Sequence, residues 1–126
     1  MPTTQTNNPS TEHAEWISEL SFHKEELVFF KKQLTDVAGK NTAMEIMKLV
    51  EHFENQFLVS TENIDILRHD INEHMGKIAK GLQEKTNQLL REKASHHKVL
   101  KDSYNIESKL FADLKIEFNK FLSKVL

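Results

Sequence analysis

Apolar residues recur along this chain at alternating spacings of three and four, which is the pattern of an amphipathic helix rather than the alternation of a strand. Proline occurs only at positions 2 and 9, so no residue after position 10 forbids a helix interior. We predict an all-α fold, an antiparallel helical bundle with heptad-like stripes. The first stripe consists of Trp16, Leu20, His23, Leu27, Phe30 and Leu34.

Local signals predict where the first helix begins and ends. Ser10 or Thr11 can serve as its N-cap, because their side-chain oxygens can accept hydrogen bonds from free backbone amides. Gly39 can take the left-handed conformation that terminates a helix, and Asn41 or Thr42 can cap the next one. We therefore expect the clearest turn of the chain at this point.

The second segment keeps its apolar phase without a break at Ser60, where no glycine, proline or aspartate marks a hairpin. Its stripe consists of Ile46, Val50, Phe53, Phe57, Ser60, Ile64, Leu67, Ile71, His74 and Ile78. Either one long central helix or two shorter helices that turn near residue 60 would satisfy this pattern. Gly76 and Gly81 inside it suggest close approach of a neighbouring helix.

The last segment begins near Ser95, and its stripe consists of Leu100, Tyr104, Phe111, Leu114, Phe118, Phe121 and Val125. The predicted helices span residues of about 12–38, 42–90 and 95–125, and the second is either continuous or broken near 60. They form a single domain, 12–126, after a disordered polar tail, 1–11. Two topologies fit: a four-helix bundle, or a long central helix with the first helix on one half and the last on the other, its core closed by dimerisation.

The amino-acid composition limits the classes of partner that this chain is expected to bind. The formal charge is −2, with charged residues of both signs interspersed, so we expect no nucleic-acid partner. No window approaches the roughly 18 apolar residues of a membrane span, so we expect no membrane partner. Cysteine is absent, and the N-terminus lacks the basic and apolar regions of a signal peptide. We expect a cytoplasmic location.

The chain has seven histidines: His13, His23, His52, His69, His74, His96 and His97. Diiron bundles carry Glu-x-x-His pairs, because residues three apart share a helix face, and none of the seven has glutamate three positions before it. The His-Glu-x-x-His spacing of zinc proteases is absent as well. Hydrolase and phosphate-binding glycine motifs are also missing, so we expect no enzyme.

Two stretches resemble the ligand spacing of hemerythrin-like bundles. "HDINE" gives His69-x-x-x-Glu73, and "HKVLKD" gives His97-x-x-x-x-Asp102. The resemblance implies iron held by these four residues, helped by His23, His52 or His74. The family's His-x-x-x-His element is absent from this chain. We therefore predict no metal site and no cofactor, and keep the hemerythrin-like iron site as the alternative.

Without a metal, the two histidines on the apolar stripes need other partners. Glu19 lies four residues before His23, and Asp70 lies four residues before His74. We expect each imidazole to pair with the carboxylate one turn earlier on its own helix. In this interpretation the histidines fix the register of the bundle, as polar core positions do in coiled coils.

The stretches "EHAEWISELSFHKEELVFFKKQL", "NTAMEIMKLVEHFENQF" and "NIDILRHDINEH" resemble small uncharacterised all-helical proteins of Bacteroidetes-type bacteria. The resemblance implies a bacterial cytoplasmic helical protein and supplies no activity. We predict a non-enzymatic interaction or structural module whose partner is another protein or itself, with a homodimer expected.

Overall fold

In a computed structural model, the chain forms three helices: α1 (Pro9–Lys40), α2 (Met44–Glu84) and α3 (Asn87–Val125). The structure describes the backbone of residues 9–84 and 87–126, and the side chains of residues 11–77 and 94–126. The helices pack against one another and the described residues include no strand. The predicted all-α bundle is confirmed.

The heptad stripes of the helices meet in one core. It contains a cluster of four aromatic rings, those of Phe30, Phe53, Phe57 and Phe118, whose neighbouring centroids lie 5.0–6.1 Å apart. Phe57 and Phe118 have no exposed surface. Burying a phenylalanine side chain contributes about 1.5–3 kcal/mol, so this cluster is a major source of stability.

The long central helix predicted as one of the alternatives is confirmed, because α2 continues through Ser60. The hydroxyl of Thr61 donates to the carbonyl oxygen of Phe57 one turn earlier, inside the helix, instead of capping a new one. However, α1 and α3 do not occupy opposite halves of α2. Both run beside the same stretch, as the contacts of Lys24 with Asp65 and of Ser60 with Glu107 show.

Several predicted boundaries differ from the observed ones. α1 begins at Pro9, so Ser10 and Thr11 lie inside the helix, and it continues through Gly39 to Lys40. Pro9 suits a first helical position, since that amide has no partner within the helix. α3 begins at Asn87, about eight residues earlier than predicted. Residues 1–8 of the predicted tail lie outside the described residues.

The two helical glycines of α2 were expected to mark close helix packing. A methyl group built on Gly76 would meet no atom within 4 Å, so this expectation is wrong at that position. Gly81 lies outside the described side chains. None of the described helices has the length and apolar character needed to cross a bilayer.

Candidate metal centre

Each of the three apolar stripes carries a histidine at the same end of the bundle. On α1 the stripe extends back to His13, three residues before Trp16, and on α3 it extends back to His97, three residues before Leu100. On α2 the corresponding residue is His74, late in the helix. Because α2 runs antiparallel to its neighbours, the beginning of α1 and α3 and the later part of α2 come together.

The three imidazoles form a compact cluster. His13 is 1% exposed and His74 is fully buried, whereas the side chain of His97 retains 18% exposure. Nε2 of His13 lies 2.9 Å from Nδ1 of His97. One ring nitrogen from each of the three residues lies within 4.8 Å of the other two. We call this group the histidine cluster.

A carboxylate orients the ring of His97. Its Nε2–H donates to Oε1 of Glu12 at 3.2 Å, and Nζ of Lys101 lies 3.5 Å from the other oxygen of this carboxylate. With the proton on Nε2, Nδ1 of His97 presents its lone pair to the cluster and accepts from Nε2–H of His13. Metal-binding histidines commonly donate their second N–H to a carboxylate in this way.

His74 does not have the partner expected from the sequence. Its Nδ1 lies 3.0 Å from Nδ1 of His96, whereas Asp70 approaches the neighbouring His69, with 3.6 Å between oxygen and nitrogen. The predicted pairing of His74 with Asp70 is therefore wrong. Nε2 of His74 is buried and has no hydrogen-bond partner among the described residues. An unpaired buried ring nitrogen is free to bind a ligand.

The cluster keeps its buried imidazoles neutral. Burial is the main cause that lowers the pKa of His74, to about 4, and the neighbouring His96, His13 and His97 lower it further. Burial also lowers the pKa of His13, with His97 acting in the same direction and Glu12 opposing. Imidazole binds metals in its neutral form, so both rings are in the state that coordination requires.

Aromatic side chains pack beside the histidine cluster. The indole of Trp16 stacks on the ring of His97 with centroids 5.1 Å apart and meets the ring of His13 edge-on at 5.2 Å. The phenol ring of Tyr104 also stacks on this indole, with centroids 5.6 Å apart. These contacts restrict the rotation of two imidazoles, which prepares them for a ligand.

The residues predicted as iron ligands from the hemerythrin-like spacing lie at different places in the structure. His74 and His97 belong to the histidine cluster. His69 and Glu73 form a separate, largely exposed group with Asp70 on the surface of α2. Clusters of this kind are common on charged helices without a metal.

The remaining members of that set lie apart from both groups. His23 stacks on Phe111 with ring centroids 4.1 Å apart, and its Nε2 lies 3.7 Å from the carboxylate of Glu19, the partner expected from the sequence. His52 is exposed beside Phe53. Asp102 is exposed on α3. The structure therefore does not gather the predicted seven residues at one site.

Sequence reasoning gave no role to His13, Glu12 or His96, although all three belong to the candidate centre. The sequence signal that indicates His13 is the register of the apolar stripes. Extending those of α1 and α3 by one heptad position toward their N-termini reaches His13 and His97. Three stripes with a histidine at one shared end would have indicated a common site.

No protein-family model, curated protein or solved structure matches this chain.

Proposed function

We propose that this protein binds a divalent transition-metal ion through His13, His74 and His97, and that the ion fastens α1, α2 and α3 together at one end. The observation that carries the proposal is the convergence of one ring nitrogen from each helix within 4.8 Å, with two of the three rings buried. The three residues are far apart in sequence, so the shared site depends on the fold.

The donor set indicates the class of ion. Imidazole nitrogen suits zinc, copper, nickel and iron, whereas calcium and magnesium prefer oxygen. Zinc binds imidazole at about 2.0–2.1 Å, which places neighbouring ligand nitrogens roughly 3.4 Å apart in a tetrahedral site. Small side-chain rotations would bring the cluster to that spacing. His96 contacts Nδ1 of His74, the ring nitrogen that does not face the ion, so water would fill the fourth position.

We assign the ion a structural role, because it would join three helices at one end of the bundle. His13 and His74 are almost completely buried, so a bound ion would be shielded from solvent. An ion that binds only the folded state stabilises it by about 2.7 kcal/mol when present at a hundred times its dissociation constant. The prediction that the protein is not an enzyme is kept.

Trp16 provides a direct test, because it is the single tryptophan of the chain and touches two of the proposed ligands. Chelator-treated protein is titrated with Co²⁺ while indole fluorescence and visible absorption are recorded. We expect saturable quenching with one ion per chain and absorption bands typical of tetrahedral Co²⁺. Zn²⁺ in excess should remove both signals and raise the melting temperature by roughly 10 °C. Fe²⁺, titrated without oxygen, tests the iron alternative.

Substitutions test the ligand assignment. His13→Gln, His74→Gln and His97→Gln retain polar side chains of comparable size, and circular dichroism verifies that each variant is folded. Each should bind Co²⁺ at least about tenfold more weakly. His52→Gln, an exposed histidine outside the cluster, is the matched control and should bind normally. Equal binding by all four variants, or no saturable binding to the parent protein, would refute the proposal.

A second candidate function is the helical interaction module expected from the sequence. Large apolar side chains that remain more than half exposed on all three helices, among them Phe29, Ile66 and Ile106, favour it. This function is compatible with a structural ion. The expected homodimer and cytoplasmic location remain predictions, which sedimentation of the purified protein and localisation of a tagged chain would test.

A further inference from the structure

A shallow groove runs between α2 and α3. It consists of two adjoining cavities of about 200 and 90 Å³ that share Asn63 and Glu107. Ser103 and Ile66 line one cavity, and Val59 and Leu110 line the other, with other residues of the two helices. We call this feature the α2–α3 groove.

The rims of the groove are apolar and their side chains follow helical periodicity. On α2, Val59 and Ile66 line the groove and are seven residues apart. On α3, Leu110 lines the groove, and Val99 and Ile106 continue its helical spacing toward the N-terminus. The side chains of these five residues are 52–61% exposed. Side chains at this spacing on two adjacent helices present a continuous surface to a third helix.

A buried carboxylate lies at the floor of the groove. Glu107 is only 6% exposed, and its one hydrogen bond among the described residues is a long one, 3.5 Å, from the hydroxyl of Ser60. Neither cavity is lined by a lysine or an arginine. No ion pair to Glu107 occurs within the part of the chain that the structure describes. A buried carboxylate without a cation is costly, so a positively charged partner would be favourable.

We propose that the α2–α3 groove binds an amphipathic helix of another protein, which places apolar side chains on the rims and a lysine or arginine against Glu107. A second copy of this chain satisfies the apolar rims but not the carboxylate. A two-fold dimer through the groove pairs this surface with itself, and neither cavity is lined by a lysine or arginine that could be placed against Glu107 of the other copy. Charge complementarity therefore favours a basic helix.

Selection from a displayed library of helical peptides with randomised surface positions tests this proposal. We expect enriched peptides to carry apolar residues at spacings of three and four around a central lysine or arginine. Ile66→Glu should abolish their binding. Phe29→Glu, a substitution at an exposed apolar residue of α1, is the control and should leave it unchanged. Peptides that bind equally to both variants, or failure to enrich a binder, would overturn the proposal.

The role of Glu107 requires a second comparison. Glu107→Gln should weaken the enriched peptides at least about tenfold, while the same peptides with methionine in place of the central basic residue should bind parent and variant alike. Sedimentation of the parent and of the Ile66→Glu variant tests whether a second copy of this chain occupies the groove instead. A dimer of the parent that Ile66→Glu converts to monomer would assign the groove to self-association and refute the basic-helix proposal.

Discussion

Nε2 of His13 and Nδ1 of His97, 2.9 Å apart, join the beginning of α1 directly to α3. These two helices also contact each other farther along the bundle, where Nζ of Lys115 donates to a carboxylate oxygen of Glu26 at 2.7 Å. In the metal-bound form that we propose, the proton shared by the two rings must leave this position, because both nitrogens become ligands. Metal binding therefore replaces a hydrogen bond by two coordination bonds at the same junction.

The His74→Leu variant distinguishes the effect of the buried imidazole on metal-free stability from its role in metal binding. We expect the metal-free variant to be as stable as the parent or up to about 2 kcal/mol more stable, because a buried ring nitrogen without a partner is removed. Stabilisation by Zn²⁺ should be lost. Urea unfolding with and without the ion measures both effects. His69→Leu, at an exposed position on the same helix, should retain the effect of Zn²⁺, and a loss there would contradict the assignment.

Glu12→Ala tests whether the carboxylate orients His97. Removing the acceptor of the His97 Nε2–H bond should weaken metal binding by about 10- to 100-fold while leaving the three ligands in place. Isothermal titration with Zn²⁺ provides the measurement. Glu15→Ala changes an exposed glutamate in the same turn of α1 and should have no effect. Comparable losses in the two variants would indicate a general electrostatic effect.

Glu107→Gln should stabilise the protein at neutral pH. Burial raises the pKa of Glu107, and the hydrogen bond from Ser60 only partly opposes this effect. The folded state therefore holds the proton more tightly than the unfolded state does. The group's contribution to stability is full below the unfolded pKa and is lost as the pH rises through the folded value.

The gain from Glu107→Gln should therefore be larger at pH 7 than at pH 4, and at pH 7 it should exceed the roughly 0.5 kcal/mol typical of surface substitutions. Urea unfolding of parent and variant at both pH values measures the difference. Glu62→Gln, an exposed glutamate on α2, is the control. An equal gain at both pH values would exclude ionisation of Glu107 as the cause.

Gly76→Ala should stabilise the protein by about 0.5–1 kcal/mol. The position is exposed inside α2 and an added methyl group meets no atom within 4 Å. Alanine loses less conformational freedom than glycine when a helix forms. Thermal unfolding followed by circular dichroism tests this expectation. Gly39→Ala lies beside the end of α1 and should have a smaller effect. Destabilisation by Gly76→Ala would mean that a partner packs against this face.

The fold was largely predictable because its signals are local. The three-four spacing from Trp16 to Leu34 and the absence of proline determine an amphipathic helix without reference to the rest of the chain. The predicted end of α2, near residue 90, lies beyond the observed end at Glu84, since the residues from Glu84 to Asn87 include no glycine or proline to mark a turn. Helix ends without such residues depend on tertiary packing, which the sequence pattern does not reveal.

The candidate site was less predictable because its residues come from three helices. The pairing of His23 with Glu19 was found, since both lie on one helix. The contacts of His13 with His97 and of His74 with His96 depend on how the helices align. The hemerythrin-like spacing also indicated His69 and Glu73, which lie one helix turn apart but on the surface.

The order of the ligands along the chain has a consequence for how the protein folds. Two of the proposed ligands, His74 and His97, are 23 residues apart within the α2–α3 hairpin, whereas His13 and His97 are 84 residues apart. Closing the shorter loop costs less entropy, so the α2–α3 half of the site is expected to form early and the contribution of α1 to arrive last. An ion present during refolding of the full chain would then meet a two-helix intermediate that already offers two imidazoles, and α1 would complete its coordination.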